Sequence, residues 1–176
     1  IAQNLNDKAD RTIDATGKHL TSGVIDEHSH IAISRGVNEG TQAISAEVSI
    51  ADVINSEDVN IYRQLSGGVV AAQLLHGSAN PVGGQSGIIK FRWGSTPEEM
   101  KFKEADPFIK FALGENVKQS NWGDDFRSRF PQTRMGVEQV YMDGFTRALE
   151  YEKALAEETP ENPVRRDLEL QTLLEI

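Results

Sequence analysis

The chain has 176 residues, which is room for one domain, and its 18 basic and 27 acidic side chains give a formal charge of −9. This acidic balance argues against a nucleic-acid partner, because such a partner requires a basic surface that displaces counterions. The absence of cysteine excludes disulfide scaffolds, thiolate-held zinc, iron–sulfur clusters and thiol catalysis. Any metal ion must therefore be held by histidine, carboxylate or a modified lysine.

The sequence has no apolar run of the roughly 18 to 20 residues that a membrane span requires, and no signal-peptide pattern at its start. We therefore expect a soluble protein with no membrane partner, and both the cytoplasm and the periplasm remain open as its compartment. The chain starts at Ile1 without an initiator Met and stops at Ile176 within an amphipathic pattern. We expect both ends to be cut.

The first elements are short. Residues 1–22 are polar and contain the turn signal Thr16-Gly17, which predicts a small β segment. Residues 24–31 begin with β-branched side chains and run into polar ones, which predicts a strand whose far end meets a site. Residues 32–55 show no clean period and predict either a functional loop or short irregular structure.

The pattern is clearer from residue 56 onward. Ser56 is the predicted cap of a helix that ends at Gly67-Gly68. The apolar run 69–75 predicts a strand buried on both faces, and a loop from His76 to Gly84 separates it from a third strand at 86–93.

Two further helices and one strand complete the order. Thr96 and Glu99 have the capping-box spacing with Pro97 at the first helical position, which predicts a short helix before a fourth strand at 107–114. A long helix is predicted from near Thr133, followed by a second helix that runs to the end. The residues predicted to face inward are Val137, Val140, Tyr141, Phe145, Ala148, Leu149 and Leu155 on the first helix, and Val164, Leu168, Leu173 and Leu174 on the second.

This alternation of strands and helices predicts an α/β protein with a parallel sheet and right-handed crossovers. Four strands with polar residues at their carboxyl ends fit a small open sheet or half of an eight-stranded barrel. A complete barrel needs about 200 to 250 residues or more. The chain is too short for one.

His28 and His30 lie two residues apart on the first predicted strand, so their imidazoles leave the same face of the strand. Two neutral imidazoles at this spacing can share a divalent ion such as Zn²⁺, Mn²⁺, Fe²⁺ or Co²⁺. The alternative is a pair of surface histidines without a ligand.

The segment Gly23-Val24-Ile25-Asp26-Glu27-His28-Ser29-His30 resembles the first-strand signature of the amidohydrolase superfamily. Asp14 to Leu20 is similar to the segment that joins the small β-sandwich of this superfamily to its barrel. Gly68 to Gln85 and Ala105 to Leu113 are similar to later strands of its imidazolonepropionase-like and prolidase-like branch. The resemblance implies an incomplete (β/α)₈ TIM-type barrel of about four β/α units over residues 23–176, preceded by a β-sandwich remnant over residues 1–22.

The same resemblance implies a metal-dependent hydrolase with one or two divalent ions, for which zinc is the expected metal. His28, His30 and Lys110 take the positions of metal ligands, and carboxylation would turn Lys110 into an anionic bridging ligand. The alternatives for Lys110 are a pair with Asp106 or Glu115, or an outward side chain. The family's remaining ligands, including the general base, belong to later strands, and no histidine follows Lys110. We therefore expect this fragment alone to be inactive.

His76 and Asn80 lie in the loop after the second predicted strand, where a barrel exposes its substrate contacts, and we assign them to substrate binding. The alternative is a turn histidine with Asn80 stabilising the loop. Gly83-Gly84-Gln85 is not a phosphate-binding loop, because it lacks the strand-to-helix context and the Lys-Ser/Thr end of a P-loop.

The function that the sequence favours is hydrolysis of an amide or cyclic amide C–N bond by metal-activated water, with a small molecule or short peptide as substrate. The alternative is a noncatalytic small α/β binding module whose histidines are incidental. An open half-sheet exposes a strand edge and an apolar face, so the expected protein partner is a second copy of the chain or its missing remainder.

Overall fold

The computed structural model describes residues 8–126 and 129–176. In this part the strands are β1 Val24–Ser29, β2 Val69–Leu74, β3 Val82–Gln85, β4 Gly87–Lys90 and β5 Ile109–Phe111. The α-helices are α1 Val59–Ser66, α2 Pro97–Met100, α3 Arg134–Ala156 and α4 Leu168–Leu174. Short 3₁₀ helices lie at Ile50–Val53, Gln119–Asn121 and Asp124–Phe126.

The strands form two small sheets rather than one parallel sheet. The first has the order β1-β2-β4, in which β1 is parallel to β2 and β4 is antiparallel to β2. The second pairs β3 with β5 in antiparallel orientation. The α/β class is as predicted, but the wholly parallel sheet is wrong: no helix lies between β2 and β4 to carry the chain back for parallel pairing. Among the described residues, only β1, α1 and β2 form a parallel β/α unit.

Residues 8–22 form no strand, so the predicted β segment is not formed there. They lack a neighbouring strand to pair with, although the predicted turn is present: the Asp14 carboxylate accepts hydrogen bonds from the N–H and hydroxyl of Thr16 at 2.9 and 2.7 Å. Gly17 follows with a φ of +75°, a left-handed conformation that suits glycine. Residues 1–7 lie outside the described part, and the domain boundary at residue 22 stays a prediction.

Asp58, rather than the predicted Ser56, caps α1. One carboxylate oxygen of Asp58 accepts from the N–H of Asn60 at 2.9 Å, and the other accepts from the N–H of Ala32 at 2.7 Å. Ala32 is fully buried and has a φ of +55°, so it turns the chain sharply just after β1. Asp58 therefore joins the start of α1 to the turn that follows the first strand.

One hydrophobic core lies against the β1-β2-β4 sheet. Ala72 and Leu74 of β2 point into it, whereas Val70 is 43% exposed, so β2 is not buried on both faces as predicted. The buried members of this core are Ala32, Ile50, Ile54, Ile61, Ala72, Leu74, Ile89, Phe91 and Met100. α1 contributes Ile61 and α2 contributes Met100, so both helices are held by one large buried side chain each.

A second core joins β3 to the two C-terminal helices. Its buried members are Ile44, Ala46, Val82, Val140, Ala148 and Leu173. The predicted inward face of α3 is correct for its N-terminal half but wrong for Phe145, Leu149 and Leu155, which are exposed. Gly144 takes the inward place on that turn because a Cβ there would meet the end of Ile44. Leu168 at the start of α4 is also exposed, contrary to the prediction.

No helix in residues 8–126 and 129–176 combines the length and apolar character needed to cross a bilayer.

Replacing the observed cap of α1 tests the link between the helix and β1. Asp58→Ala removes the cap and leaves the buried N–H of Ala32 without its acceptor, so we expect a loss of about 2 to 4 kcal/mol in the free energy of unfolding. Ser56→Ala is the matched control and should change that free energy by less than about 0.5 kcal/mol. Urea unfolding of both variants measures the difference, and equal losses would contradict the assignment of the cap.

Candidate functional site

The imidazoles of His28 and His30 lie side by side at the carboxyl end of β1. Their Nε2 atoms are 3.3 Å apart, and the ring centroids are 5.1 Å apart with the planes at 80°. Both side chains are exposed, whereas Ser29 between them is buried in the opposite direction. The predicted projection of both rings to one side of the strand is therefore confirmed.

The backbone of β2 fixes the orientation of His30. Its Nδ1 lies 2.9 Å from the carbonyl oxygen of Leu75, the residue that follows β2. A carbonyl oxygen only accepts, so this Nδ1 carries the proton, and in the neutral ring the lone pair is on Nε2. That lone pair points toward His28. A hydrogen bond from the second ring nitrogen to a carbonyl is the arrangement that usually orients a metal-binding histidine.

The surroundings of His28 disfavour the charged form of its ring. Partial loss of water around the ring lowers the pKa of His28, and the positive charges of Lys110 and His30 lower it further. The carboxylate of Asp26 accepts a hydrogen bond from the backbone N–H of His28 at 3.1 Å. Lys110, from β5 in the other sheet, therefore lies close enough to act electrostatically on His28.

The geometry of the pair fits two ligands of one divalent ion. Zinc binds imidazole nitrogen at about 2.0 to 2.1 Å, and tetrahedral coordination then places two ligand nitrogens about 3.3 Å apart. The observed distance between the Nε2 atoms is 3.3 Å. Residues 8–126 and 129–176 contain no cluster of three or more His, Asp or Glu side chains that could hold a metal. The histidine pair is therefore a partial donor set, to which Lys110 is the candidate addition.

Lys110 is half-buried and forms no ion pair within the described part of the chain. Glu115, one of its alternative partners, is bound instead by Lys118 and Arg134, each at 2.6 Å. Those bonds, with a third from Asn121, lower the pKa of Glu115 to about 2. The alternative of a Lys110–Glu115 pair is therefore wrong, and no bond to Asp106 forms either.

His76 is 1% exposed and uses both ring nitrogens inside the protein. Its Nδ1 donates to the carbonyl oxygen of Gly77 at 2.8 Å, and its Nε2 accepts from the backbone N–H of Glu39 at 2.8 Å. Burial lowers the pKa of His76, and the charges of His30 and Lys110 act in the same direction. The ring is therefore a neutral structural bridge between the loops that follow β1 and β2.

Asn80 is completely buried and holds the same loop. Its Nδ2 lies 2.6 Å from the carbonyl oxygen of Glu39, 2.9 Å from that of Gln42 and 3.0 Å from the Ser45 hydroxyl. The Oδ1 of Asn80 is buried without a partner in the described structure. As placed, neither His76 nor Asn80 can reach a substrate, so the alternative of a turn histidine with a loop-stabilising asparagine describes both of them.

Gly83 and Gly84 explain why β3 escaped prediction. A Cβ at Gly83 would lie 2.8 Å from Nδ1 of His76, and one at Gly84 would lie 2.7 Å from the carbonyl oxygen of Val48. The two glycines therefore allow β3 to pack against the His76 ring and the loop backbone. The sequence predicts a loop here because this strand has little β propensity of its own.

Two solved or curated proteins resemble this chain. The crystal structure of an amidohydrolase from Thermotoga maritima MSB8 superimposes with a TM-score of 0.84 and 35% sequence identity. The match covers 99% of this chain and 47% of that one. A protein from Hapsidospora irregularis named amidohydrolase tasK is 33% identical over an alignment of 152 residues. The match covers 77% of this chain and 15% of that protein. No family model matches the chain.

The chain belongs to the amidohydrolase superfamily. It spans less than half the length of the two amidohydrolases it matches. The histidine pair lies in the segment that carried the resemblance, at the carboxyl end of β1. The metal-ligand roles of His28, His30 and Lys110 remain predictions.

Two residues of this chain that form or bind the loop after β1 were not predicted from the sequence. Glu39 is exposed, but its backbone is bound by His76 and Asn80. Arg129 donates to the carbonyl oxygens of Gly40 and Ala79 at 2.6 Å each. Bonds to main-chain atoms leave no side-chain pattern. The available signal is the aperiodic stretch 32–55, which predicts either a functional loop or short irregular structure.

The orientation of the Asn80 amide can be tested with an isosteric change. Asn80→Asp replaces the Nδ2 donor with an oxygen that faces two carbonyl oxygens, so we expect a loss of about 2 kcal/mol or more in the free energy of unfolding. Asn116→Asp is the control: Asn116 is exposed, its Nδ2 bonds only the Ser78 hydroxyl, and a hydroxyl can donate to the new carboxylate. The control should change by less than about 0.5 kcal/mol in the same denaturant titration.

Acidification should destabilise the protein through His76. Because the pKa of His76 is lowered in the folded state, the unfolded chain binds more protons below the ordinary value of about 6.5, and stability falls as the pH decreases through that range. His76→Asn should have a smaller fall in unfolding free energy between about pH 8 and about pH 5 than the unchanged protein. His19→Asn, at an exposed histidine, should keep the full fall. A His76→Asn profile parallel to that of the unchanged protein would refute this role.

Proposed function

We propose that this chain forms part of a metal-dependent amidohydrolase that cleaves an amide or cyclic amide C–N bond. The observation that supports the proposal is the pair of Nε2 atoms, which are 3.3 Å apart at the carboxyl end of β1. His28 and His30 would hold the ion, with Zn²⁺ as the proposed metal. The names of the two similar proteins support the same reaction class.

When bound, a divalent ion at this place lowers the pKa of a water molecule and polarises a substrate carbonyl group. The chain itself contributes orientation. The Leu75 carbonyl keeps the proton on Nδ1 of His30, and Asp26 binds the backbone beside His28. In the neutral ring, the Nε2 of His30 thereby has the free lone pair, and metal binding requires neutral imidazole.

Lys110 completes the proposed donor set after carboxylation. A bare ammonium beside the two imidazoles would repel a cation, whereas a carbamate would offer anionic oxygens. Lys110 is half-buried, lies close enough to affect the pKa of His28 and has no carboxylate partner in the described structure, which supports this part of the proposal. We also propose the imidazolonepropionase-like or prolidase-like branch, a TIM-type barrel for the whole protein, and a general base outside the described residues.

One face of the β1-β2-β4 sheet has exposed apolar side chains, which supports the proposal of a protein partner. Ile25, Val70 and Phe102 are 65%, 43% and 38% exposed there, beside a cavity of about 440 Å³. β1 pairs on one side only within the described residues. We propose that a further part of the protein or a second copy covers this edge, as expected for an unpaired strand.

Metal analysis tests the proposed function directly. The full-length protein that contains this chain, loaded with Zn²⁺ or Co²⁺, should retain stoichiometric metal after gel filtration. His28→Ala or His30→Ala should weaken binding by about 100-fold or more, since each removes a ligand. His19→Ala is the matched control, because His19 is exposed outside the site, and it should bind normally. Hydrolysis of a panel of N-acetyl amino acids, hydantoins and proline dipeptides should follow the metal content.

Absence of stoichiometric metal in the unchanged protein, with identical behaviour of all three variants, would contradict the proposal. That result would favour the noncatalytic binding module.

A further inference from the structure

The peptide groups of Glu39 are held from both sides by buried side chains. His76 accepts from the N–H of Glu39, and Asn80 donates to the carbonyl oxygen of Glu39 at 2.6 Å. His76 and Asn80 are 1% and 0% exposed. Burying a polar side chain costs free energy unless the side chain is hydrogen-bonded. The hydrogen bonds of His76 and Asn80 to Glu39 therefore show that both side chains hold the backbone of this residue.

The neighbours of Glu39 are anchored in the same way. Val37 accepts from the N–H of Gly77 at 2.6 Å, and the Asn38 side chain accepts from the N–H of Ala79 at 3.1 Å. Gly40 accepts from Arg129 at 2.6 Å. Residues 37–40 contain no helix or strand, yet each of them has a bond to another part of the fold. This loop is therefore fixed by the loop after β2 and by Arg129.

The backbone of Glu39 is connected to the histidine pair through His76. His30 donates to the carbonyl of Leu75, and the next residue, His76, accepts from Glu39. The charge of Glu39 raises the pKa of His76, and those of His30 and Lys110 lower it. The loop that carries Glu39 is therefore held by the residue next to the carbonyl group that orients His30.

The Glu39 side chain has no internal function in the described structure. It is exposed and forms no ion pair in residues 8–126 and 129–176. The nearby Arg129 guanidinium donates to the carbonyl oxygens of Gly40, Ala79 and Phe130 instead. A carboxylate on a fixed loop loses little conformational entropy when it binds a ligand, which favours recognition of a positively charged group.

We propose that Glu39 determines specificity in the proposed hydrolase by binding an amino or guanidino group of the substrate, with His76 and Asn80 as positioning residues. This inference rests on the proposed function and names its substrate class. The charge of the bound group follows from the unpaired carboxylate. Its place follows from the hydrogen bonds of His30 to Leu75 and of Glu39 to His76, which hold the loop after β1 against the end of β2. Charge-assisted hydrogen bonds would provide the discrimination.

Binding of two isosteric probes tests the inference without requiring turnover. Lysine should bind the metal-loaded full-length protein about 10- to 100-fold more tightly than norleucine in calorimetry. Both probes have an α-ammonium group, and only lysine adds a side-chain ammonium for the Glu39 carboxylate. Glu39→Gln should remove most of this preference, and the matched control Glu152→Gln, at an exposed position on α3, should keep it. Asn80→Ala should reduce the preference for lysine, although Glu39 itself is unchanged. If Asn80 had only a structural role, the variant would weaken the binding of lysine and of norleucine equally.

Kinetics with N-acetyl-lysine and N-acetyl-norleucine separates this inference from the proposed function. We expect Glu39→Gln to raise KM for the lysine substrate about 10-fold or more, with kcat and the norleucine substrate little affected. Metal-dependent hydrolysis with equal preference for both substrates and no effect of Glu39→Gln would overturn the inference and leave the proposed function standing. Loss of metal binding and hydrolysis altogether would instead remove the proposed function, and the inference with it.

Discussion

The hydrogen bond from Nδ1 of His30 to the carbonyl oxygen of Leu75 is the interaction on which the site depends. It can form because β1 and β2 are parallel, so their carboxyl ends lie next to each other. One bond then has two consequences: it ties the ends of the strands together, and it fixes which nitrogen of His30 has the free lone pair. Without this bond, the His30 ring could rotate or change tautomer. The lone pair on its Nε2 would then no longer be fixed toward the Nε2 of His28, which is 3.3 Å away.

The residues behind the histidine pair stabilise the site rather than react. His76 and Asn80 satisfy backbone groups of a loop that has no sheet or helix partners, and Gly83 and Gly84 leave room for the His76 ring. Asp58 does the same for the turn at Ala32. Buried side chains thus replace the missing regular structure around the end of β1, so the loop after the strand is ordered without being a helix or a strand.

Local features of this site and fold could be predicted from the sequence, and long-range ones could not. The alternation of a strand was enough to place His28 and His30 on one side, and the capping box at Thr96 and Glu99 was enough to start α2. The antiparallel orientation of β4 and the existence of β3 depend on contacts with distant residues such as Val48 and His76, which no local period records. The choice between Ser56 and Asp58 as the cap of α1 also depends on a distant residue. Both residue types suit a cap, but only the Asp58 carboxylate also accepts the hydrogen bond from the N–H of Ala32.

The substrate role assigned to His76 illustrates a more general limit. A polar residue after a strand in an α/β protein has two uses, contact with a ligand or satisfaction of the backbone, and both require the same residue types at the same place. Burial separates them, because a ring with both nitrogens bonded inside the protein has no donor or acceptor left for a ligand. The exposed residue whose backbone it holds is then the better candidate for recognition. The proposed substrate contact is therefore Glu39 rather than His76. Glu39 has no motif of its own and is identified only by the residues that surround it.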